Sequence, residues 1–184
     1  KIIDRKEDIK LIQGSKYLQC KADNVTFKHI KTELIKGRIV LYSGMACQVE
    51  GLKSYLRKDY ENLYTIDLIC MGIPSYIVWQ KYLKTYFEGE NIKSVNFKEK
   101  SIGWDSFSFR IDTDKRTFKE CGMHNLYLRS MFLSWNMRPS CFNCPFKHAE
   151  RLSDFTLADA WGVSKSVPEI NDNKGFHCRC DRAT

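Results

Sequence analysis

Hydrophobic residues recur at helical spacing from Asn24, a residue that can cap the first turn of a helix. The apolar stripe of this predicted helix consists of Phe27, Ile30, Leu34 and Ile35, and Gly37 follows it. The next stretch, RIVLYSG, is short, apolar and β-branched, which predicts a buried strand that ends at Gly44. A helix followed directly by a strand is therefore predicted between Asn24 and Gly44.

The alternation of helix and strand continues in the next part of the chain. ACQVEGLKSYLRKDY predicts a helix with Val49, Leu52 and Leu56 on one face, and LYTIDLIC predicts a second buried strand. After the turn-like MGIPS, Ser75 can cap a third helix, SYIVWQKYLKTYFEGE. Strand, helix and strand with short connections are typical of a βαβ unit, so a parallel sheet is predicted.

The pattern changes after the third helix. SVNFKEK, FSFRIDT and RTFKEC are short and alternating, which predicts a small antiparallel β section. NLYLRSMFLSW then predicts a helix, and DFTLADAWGV predicts one more strand. The final FHCRCDRAT continues no periodic pattern and is expected to be a frayed end. The predicted fold class is α/β, with a parallel βαβ core and an added small antiparallel section.

The composition is that of a folded chain, with 184 residues of which 43% are hydrophobic, enough for one sizeable domain. No apolar run approaches the roughly 20 residues of a membrane helix, and no signal peptide follows Lys1. The chain is expected to be an excised piece of a longer protein. The net charge of +8 fits either a lysine-rich surface or one that attracts phosphates. Because the basic residues are scattered, nucleic-acid binding is the less favoured interpretation.

Cysteine is the residue type that most changes this picture. The eight cysteines are Cys20, Cys47, Cys70, Cys121, Cys141, Cys144, Cys178 and Cys180. They are too few, in too large a domain, for a secreted disulfide scaffold. A reducing, cytoplasmic compartment is therefore favoured, in which clustered thiols usually indicate metal or redox chemistry.

Four of these cysteines form a candidate metal site. RPSCFNCPFK sets Cys141 and Cys144 in a polar C-x-x-C loop, which can bind a metal or a cluster, act as a redox dithiol, or form a disulfide. Cys47 lies just past the first predicted parallel strand, and Cys70 is the last residue of the second; the carboxyl ends of these strands share one edge of the sheet. If the cysteine loop folds over that edge, four thiolates converge there.

Other interpretations of these cysteines stay open. Cys47 could be a nucleophile at a helix start, although no histidine pattern accompanies it, and Cys70 could be a small buried hydrophobic residue. One C-x-x-C pair plus two single cysteines suits a [4Fe-4S] cluster better than zinc, and a proline after Cys144 also occurs in bacterial ferredoxins. Cys20 or Cys121 could replace one of the four ligands.

Six motifs run in the order and spacing of a known family: GSKYLQ, VLYSGMACQVEGLKSYL, NLYTIDLICMGIPS, VNFKEKSIGWDSFSF, LRSMFLSWNMRPSCFNCPFK and RLSDFTLADAWGV. On these motifs the chain resembles the coenzyme F420 hydrogenase/dehydrogenase beta subunit family, in particular its C-terminal domain. The expected domain is residues 1–175, a fragment that lacks the ferredoxin-like N-terminal part usual in the family. Residues 176–184 are expected to be an atypical tail.

The resemblance implies an iron–sulfur flavoprotein that binds FAD and a [4Fe-4S] cluster and exchanges electrons with a deazaflavin or a similar reductant. The cluster ligands that it implies are Cys47, Cys70, Cys141 and Cys144. The flavin contacts that it implies are Lys16, Tyr17, Gly44 and Gln48. An electron-transfer partner protein or a ferredoxin-like domain is expected, and a homo-oligomer is left open.

Two departures from the family pattern bear on the chemistry. GMACQ replaces the usual Gly-Thr-Pro-Cys-Gln, and Cys70-Met71-Gly72 replaces Cys-His-Gly, so a histidine relay of relatives would be missing here. The sequence predicts an oxidoreductase domain that transfers electrons between a flavin or deazaflavin and a [4Fe-4S] cluster. The alternative is a non-catalytic module in which four cysteines bind a structural zinc.

Overall fold

The computed structural model of the protein describes residues 2–20, 23–101, 106–159 and 176–180. The chain divides into two compact units. Unit 1 consists of Lys1–Gln19 and Gly72–Phe142, and unit 2 consists of Cys20–Met71 and Asn143–Thr184. The domain limits expected from the sequence, residues 1–175 and a tail, stay a prediction.

Apart from the 3₁₀ helix, α5 (Pro139–Phe142) and β7 (Phe176–Cys180), the elements follow one another in the order that the hydrophobic pattern predicts. After a 3₁₀ helix at Lys6–Leu11 they are α1 (Asn24–Ile35), β1 (Val40–Ser43), α2 (Ala46–Leu56), β2 (Leu63–Leu68), α3 (Tyr76–Phe87), β3 (Ile92–Glu99), β4 (Ser108–Thr113), β5 (Thr117–Cys121), α4 (Leu126–Phe132), α5 (Pro139–Phe142), β6 (Phe155–Asp159) and β7 (Phe176–Cys180). No helix in the described ranges is long and apolar enough to cross a membrane.

Unit 2 contains a four-stranded sheet in the order β1-β2-β6-β7. The first three strands are parallel, with Ser43 beside Ile66 and Leu68 beside Leu157, and β7 pairs with β6 in the antiparallel direction. The predicted parallel βαβ core is therefore confirmed. The carboxyl ends of β1 and β2 lie at the same edge of this sheet, as predicted from the sequence.

The core of unit 2 is aliphatic and comes from α1, α2 and β2. Its buried members are Ile30, Leu34, Leu52, Leu56 and Leu63. The cap of α1 differs from the expectation, because Asp23 and not Asn24 accepts the hydrogen bond from the backbone N–H of Thr26, at 3.0 Å. Ile35, expected on the apolar stripe, is 68% exposed at the end of the helix.

Unit 1 contains the antiparallel sheet β3-β4-β5, as predicted. Its core is largely aromatic and joins α3 and α4 to the sheet; the buried members are Trp79, Tyr82, Phe87, Phe97, Phe107, Phe109, Ile111, Tyr127, Leu128, Met131 and Met137. A buried amide fixes the start of α4: Asn125 donates to the hydroxyl of Tyr82 at 2.8 Å and accepts from the N–H of Leu128 at 3.1 Å. Burial raises the pKa of Tyr82 to about 12, so this hydroxyl stays neutral.

The end of the chain differs from the sequence expectation. Residues 176–180, taken there as part of a frayed end, form β7 and pair with β6 from Phe155↔Cys180 to Asp159↔Phe176. The stretch FHCRC has no apolar alternation because an edge strand needs only backbone partners to join a sheet. Residues 181–184 and the last part of the predicted strand, 160–163, lie outside the described residues.

Candidate functional site

Two of the predicted ligands lie at the carboxyl edge of the unit 2 sheet. The N–H of Gly44 donates to the carbonyl of Ile66 at 3.0 Å, which joins the end of β1 to the end of β2. Cys47 is the second residue of α2 and comes three positions after Gly44, whereas Cys70 comes two positions after the last residue of β2. Both are half-buried. The register of the parallel strands therefore brings the two elements that carry these thiols to one edge.

The segment that follows Cys144 is tied to the end of β2. The N–H of Lys147 donates to the carbonyl of Cys144 at 3.3 Å and closes a turn. The ammonium of the same lysine donates to the carbonyl of Met71, the residue next to Cys70. Unit 2 therefore holds the second half of the C-x-x-C motif close to the backbone that bears Cys70.

Cys141 belongs to unit 1 and lies in α5. Its backbone N–H donates to the carbonyl of Arg138 at 2.9 Å. Gly72 has a φ of +146°, and a Cβ placed on it would lie 3.2 Å from the Cβ of Cys141 and 3.1 Å from the sulfur of Met137. Glycine is therefore required at position 72 both by backbone conformation and by the close approach of the cysteine loop.

The described thiols do not form a site for one metal ion. Across residues 2–20, 23–101, 106–159 and 176–180, no three His, Cys, Asp or Glu side chains lie close enough together to hold one. Four thiolates on one zinc at about 2.3 Å would place their sulfurs about 3.8 Å apart. None of the six cysteines whose side chains are described forms a disulfide.

Cys20 is placed beside the same helix start. The side-chain amide of Gln48 accepts from the N–H of Met45 at 2.9 Å and donates to the sulfur of Cys20 at 3.6 Å. Burial raises the pKa of Tyr42 to about 12, and negative charge on Cys20 and Cys47 adds to this effect. The side chains of Cys20, Cys47, Tyr42 and Gln48 therefore lie near one another in unit 2. Cys121, by contrast, is exposed at the end of β5 in unit 1.

The four predicted flavin contacts have structural roles of their own. The ammonium of Lys16 donates to the carbonyls of Ile12, Gln13 and Gly14, at 2.7 to 3.3 Å. The ring of Tyr17 packs edge-on against the aromatic core of unit 1. A Cβ on Gly44 would lie 3.2 Å from atoms of Gln48 and Tyr42. Each of these four residues is engaged with its neighbours, and the flavin contacts stay predictions.

Sequence reasoning missed a buried ion pair in unit 2. Asp67, on β2, is 1% exposed, and its Oδ2 lies 3.3 Å from Nη1 of Arg151, whose side chain is 10% exposed. The same Nη1 donates to the carbonyl of Phe146 at 3.0 Å. The other carboxylate oxygen of Asp67 has no hydrogen-bond partner among the described residues. A lone Asp inside the apolar run LYTIDL was the signal that could have revealed it.

A cleft in unit 2 lies elsewhere. It has a volume of about 540 Å³ and lies at the amino end of β2, away from the strand ends that carry the cysteines. Its lining consists of Lys53, Leu56, Lys58, Asp59, Tyr60, Glu61, Leu63 and Asp154, none of which is a predicted site residue. Charges of both signs surround it, and no convergent set of catalytic groups is present among them.

Residues 37–177 match a protein family that comprises the carboxyl-terminal part of the beta subunit of coenzyme F420 hydrogenase/dehydrogenase. This match spans more than half of the chain. The chain belongs to this family. The resemblance found from the sequence motifs is thereby confirmed.

A solved structure also resembles this family member. It is a chain of the F420-reducing [NiFe] hydrogenase complex from Methanosarcina barkeri, from a study of xenon derivatization, with a TM-score of 0.47 and 15% sequence identity. The similarity covers 95% of this chain and 62% of that chain, so the protein spans less than two thirds of its neighbour. No curated protein sequence matches the chain.

Proposed function

We propose that this domain transfers electrons between a flavin or deazaflavin and a [4Fe-4S] cluster. The cluster would be bound by four thiolates, those of Cys47, Cys70, Cys141 and Cys144. Family membership supports the oxidoreductase activity and the link to coenzyme F420. Thiolates are the usual ligands of such clusters.

The observation that carries the proposal is the way unit 2 joins its cysteine segments. The parallel pairing of β1 and β2 gives Cys47 and Cys70 a common sheet edge. The hydrogen bond from Lys147 to the carbonyl of Met71 ties the segment after Cys144 to the residue beside Cys70. The second contact unites segments 76 positions apart in sequence, and packing of small hydrophobic cysteines alone would not require it.

The chain's own groups favour negatively charged ligands at this edge. Cys47 lies in the first turn of α2, where the positive end of the helix dipole favours a thiolate. The Lys147 ammonium adds a positive charge near the carbonyl of Met71. When bound, a cluster supplies single-electron transfer, and a flavin supplies the conversion from hydride chemistry to single electrons.

The proposed cellular context follows from the same cysteines. A chain with eight cysteines that uses four of them as thiolate ligands fits a reducing, cytoplasmic location. An electron-transfer partner protein or a ferredoxin-like domain would deliver or accept the single electrons. FAD is proposed as the flavin on the strength of the resemblance alone.

Cysteine replacement under anaerobic conditions tests the ligand set. Each of Cys47→Ser, Cys70→Ser, Cys141→Ser and Cys144→Ser should lose most of the iron that the unchanged protein carries. Cys121→Ser is the matched control and should retain it, because Cys121 is exposed on another strand. If Cys20→Ser loses iron and one of the four ligand variants retains it, Cys20 is the ligand in place of the cysteine changed in that variant.

The same preparations test the flavin and the alternative. Flavin released on denaturation should be measurable by fluorescence, and the brown colour should bleach on addition of dithionite. A colourless protein with about one zinc per chain and no iron would replace this proposal by the metal-stabilised scaffold.

A further inference from the structure

The segment after Cys144 is attached to β2 by a buried ion pair. Arg151 comes seven residues after Cys144, and Asp67 comes three residues before Cys70. One guanidinium nitrogen serves two acceptors, the Asp67 carboxylate at 3.3 Å and the Phe146 carbonyl at 3.0 Å. This nitrogen therefore links the strand that leads to Cys70 with the turn that follows Cys144.

Stability alone does not account for this pair. Removing two charges from water costs about as much as their attraction returns, so a well-packed apolar pair would serve the fold equally well. The unpartnered second oxygen of Asp67 adds a further cost. An apolar pair could pack in several ways. A charged pair with fixed hydrogen bonds instead specifies one position of the loop on the strand.

The other contacts of the same segment are of a different kind. Lys147 and Lys53 donate to the carbonyls of Met71 and Leu152, but both contacts are exposed and involve flexible stems. Asp154 accepts from the N–H and the hydroxyl of Thr65, at 2.7 and 2.9 Å, and fixes the far end of the segment where β6 begins. Near Cys144, the contact made by a largely buried side chain is that of Arg151 with Asp67.

We propose that Asp67 and Arg151 are positioning residues, which hold Cys144 at the end of β2 next to Cys70 before any metal is bound. This inference rests on the proposed cluster function, which it deepens. Neither residue contacts the metal. Their effect is to reduce the number of conformations that the segment adopts in the metal-free protein. Less conformational entropy is therefore lost when the metal binds.

The direct test is the reactivity of Cys144 in the metal-free protein. Iodoacetamide labelling, followed by mass spectrometry of peptides, gives the rate for Cys144 and, in the same molecule, for exposed Cys121 of unit 1 as a reference. Arg151→Met should raise the Cys144 rate at least tenfold relative to Cys121, because the segment opens locally. Arg151→Lys, which keeps the charge, should restore most of the protection.

Two further variants make the test specific. Arg110→Met removes the half-exposed ion pairs of Arg110 with Glu99 and Asp112 in unit 1 and should leave the Cys144 rate unchanged. Asp67→Asn keeps the shape of the side chain but removes its charge, and should raise the rate by a smaller factor of about three. If circular dichroism shows that Arg151→Met does not fold, the Cys144 labelling rates of Asp67→Asn and Arg151→Lys are compared instead.

Reconstitution with ferrous iron and sulfide gives the second measurement. Arg151→Met should need at least tenfold more iron for half-saturation than the unchanged protein, with Arg110→Met as the control. Equal Cys144 labelling in folded Arg151→Met and unchanged protein would overturn the inference. If the unchanged protein binds no iron, the proposed function fails, while the labelling comparison still decides whether the ion pair holds the loop.

Discussion

The two units differ in what they bury. Unit 1 buries rings: Trp79 alone lies within 4.8 to 6.5 Å, between ring centroids, of Tyr82, Phe97, Phe109 and Tyr127. Unit 2 buries a smaller aliphatic core and, beside it, the charged pair of Asp67 and Arg151. Three of the four proposed ligands, Cys47, Cys70 and Cys144, belong to unit 2, and Cys141 belongs to unit 1.

This difference assigns the two units different roles, stability to unit 1 and placement of the cysteine segments to unit 2. Large rings contribute much apolar area and specific ring geometry, so unit 1 gains stability from its core. In unit 2, interior space is given to polar and charged groups that direct the chain near the cysteines. Destabilising unit 1 should therefore change the free energy of unfolding most, whereas changes in unit 2 should act more on metal binding.

The largest expected effect is in the aromatic core. Trp79→Ala should lower the free energy of unfolding by about 4 kcal/mol, because it removes a large side chain that is 4% exposed. Trp135→Ala is the matched control, since Trp135 is 74% exposed in the same unit and should change stability by no more than about 0.5 kcal/mol. Urea unfolding measures both, and equal losses would contradict the account of unit 1.

Removal of an aliphatic side chain from the core of unit 2 should lower the free energy of unfolding by less than removal of Trp79 does. Leu52→Ala, at a fully buried position of α2, should lower the free energy of unfolding by about 3 kcal/mol. The control is Leu41→Ala on β1, because Leu41 is 62% exposed and its loss should be well below about 1 kcal/mol. A loss for Leu52→Ala larger than that for Trp79→Ala would reverse the ranking of the two cores.

The two helix caps provide a finer comparison. Asn125→Ala should destabilise the protein by about 2 kcal/mol, because it removes the cap of α4 and the buried bonds to Tyr82 and Glu120. Asp23→Ala removes a half-buried cap of α1 and should cost about 1 kcal/mol. Thermal unfolding of the two variants shows which loses more stability. Equal losses of stability would argue that the buried hydrogen bonds of Asn125 add nothing to its role as a cap.

The local elements could be predicted because their signals are local. The apolar positions Val49, Leu52 and Leu56 recur at helical spacing and are all buried, and the parallel pairing of β1 and β2 follows from the short helical connection between them. The common edge of Cys47 and Cys70 is a consequence of that topology, so it could be derived from strand ends alone.

The long-range contacts could not be predicted in the same way. Asp67 and Arg151 are 84 positions apart, and no periodicity links them. The ammonium of Lys16, a residue that the resemblance implies as a flavin contact, donates to three carbonyls of its own loop, which the sequence did not predict. In each case the geometry of side-chain packing decides the partner, and the order of residues along the chain carries no record of it.

The smallest expected effect concerns acid stability at the surface of unit 1. Hydrogen bonds from Ser94, Arg110 and Thr117 lower the pKa of Asp112 to about 2. Because this pKa lies below the unfolded value of about 3.9, the contribution is present above that value and is lost as the pH falls through about 2. Asp112→Asn should therefore flatten the decline of the urea midpoint in this range, and an unchanged decline would refute the assignment.

The central claim is that four thiolates on separate elements hold one iron–sulfur cluster. Iron and acid-labile sulfide per chain, measured on protein purified without oxygen, test it most directly. The account predicts about four of each per chain, as a [4Fe-4S] cluster requires. Protein that is folded and contains neither iron nor sulfide, even after anaerobic reconstitution, would contradict it.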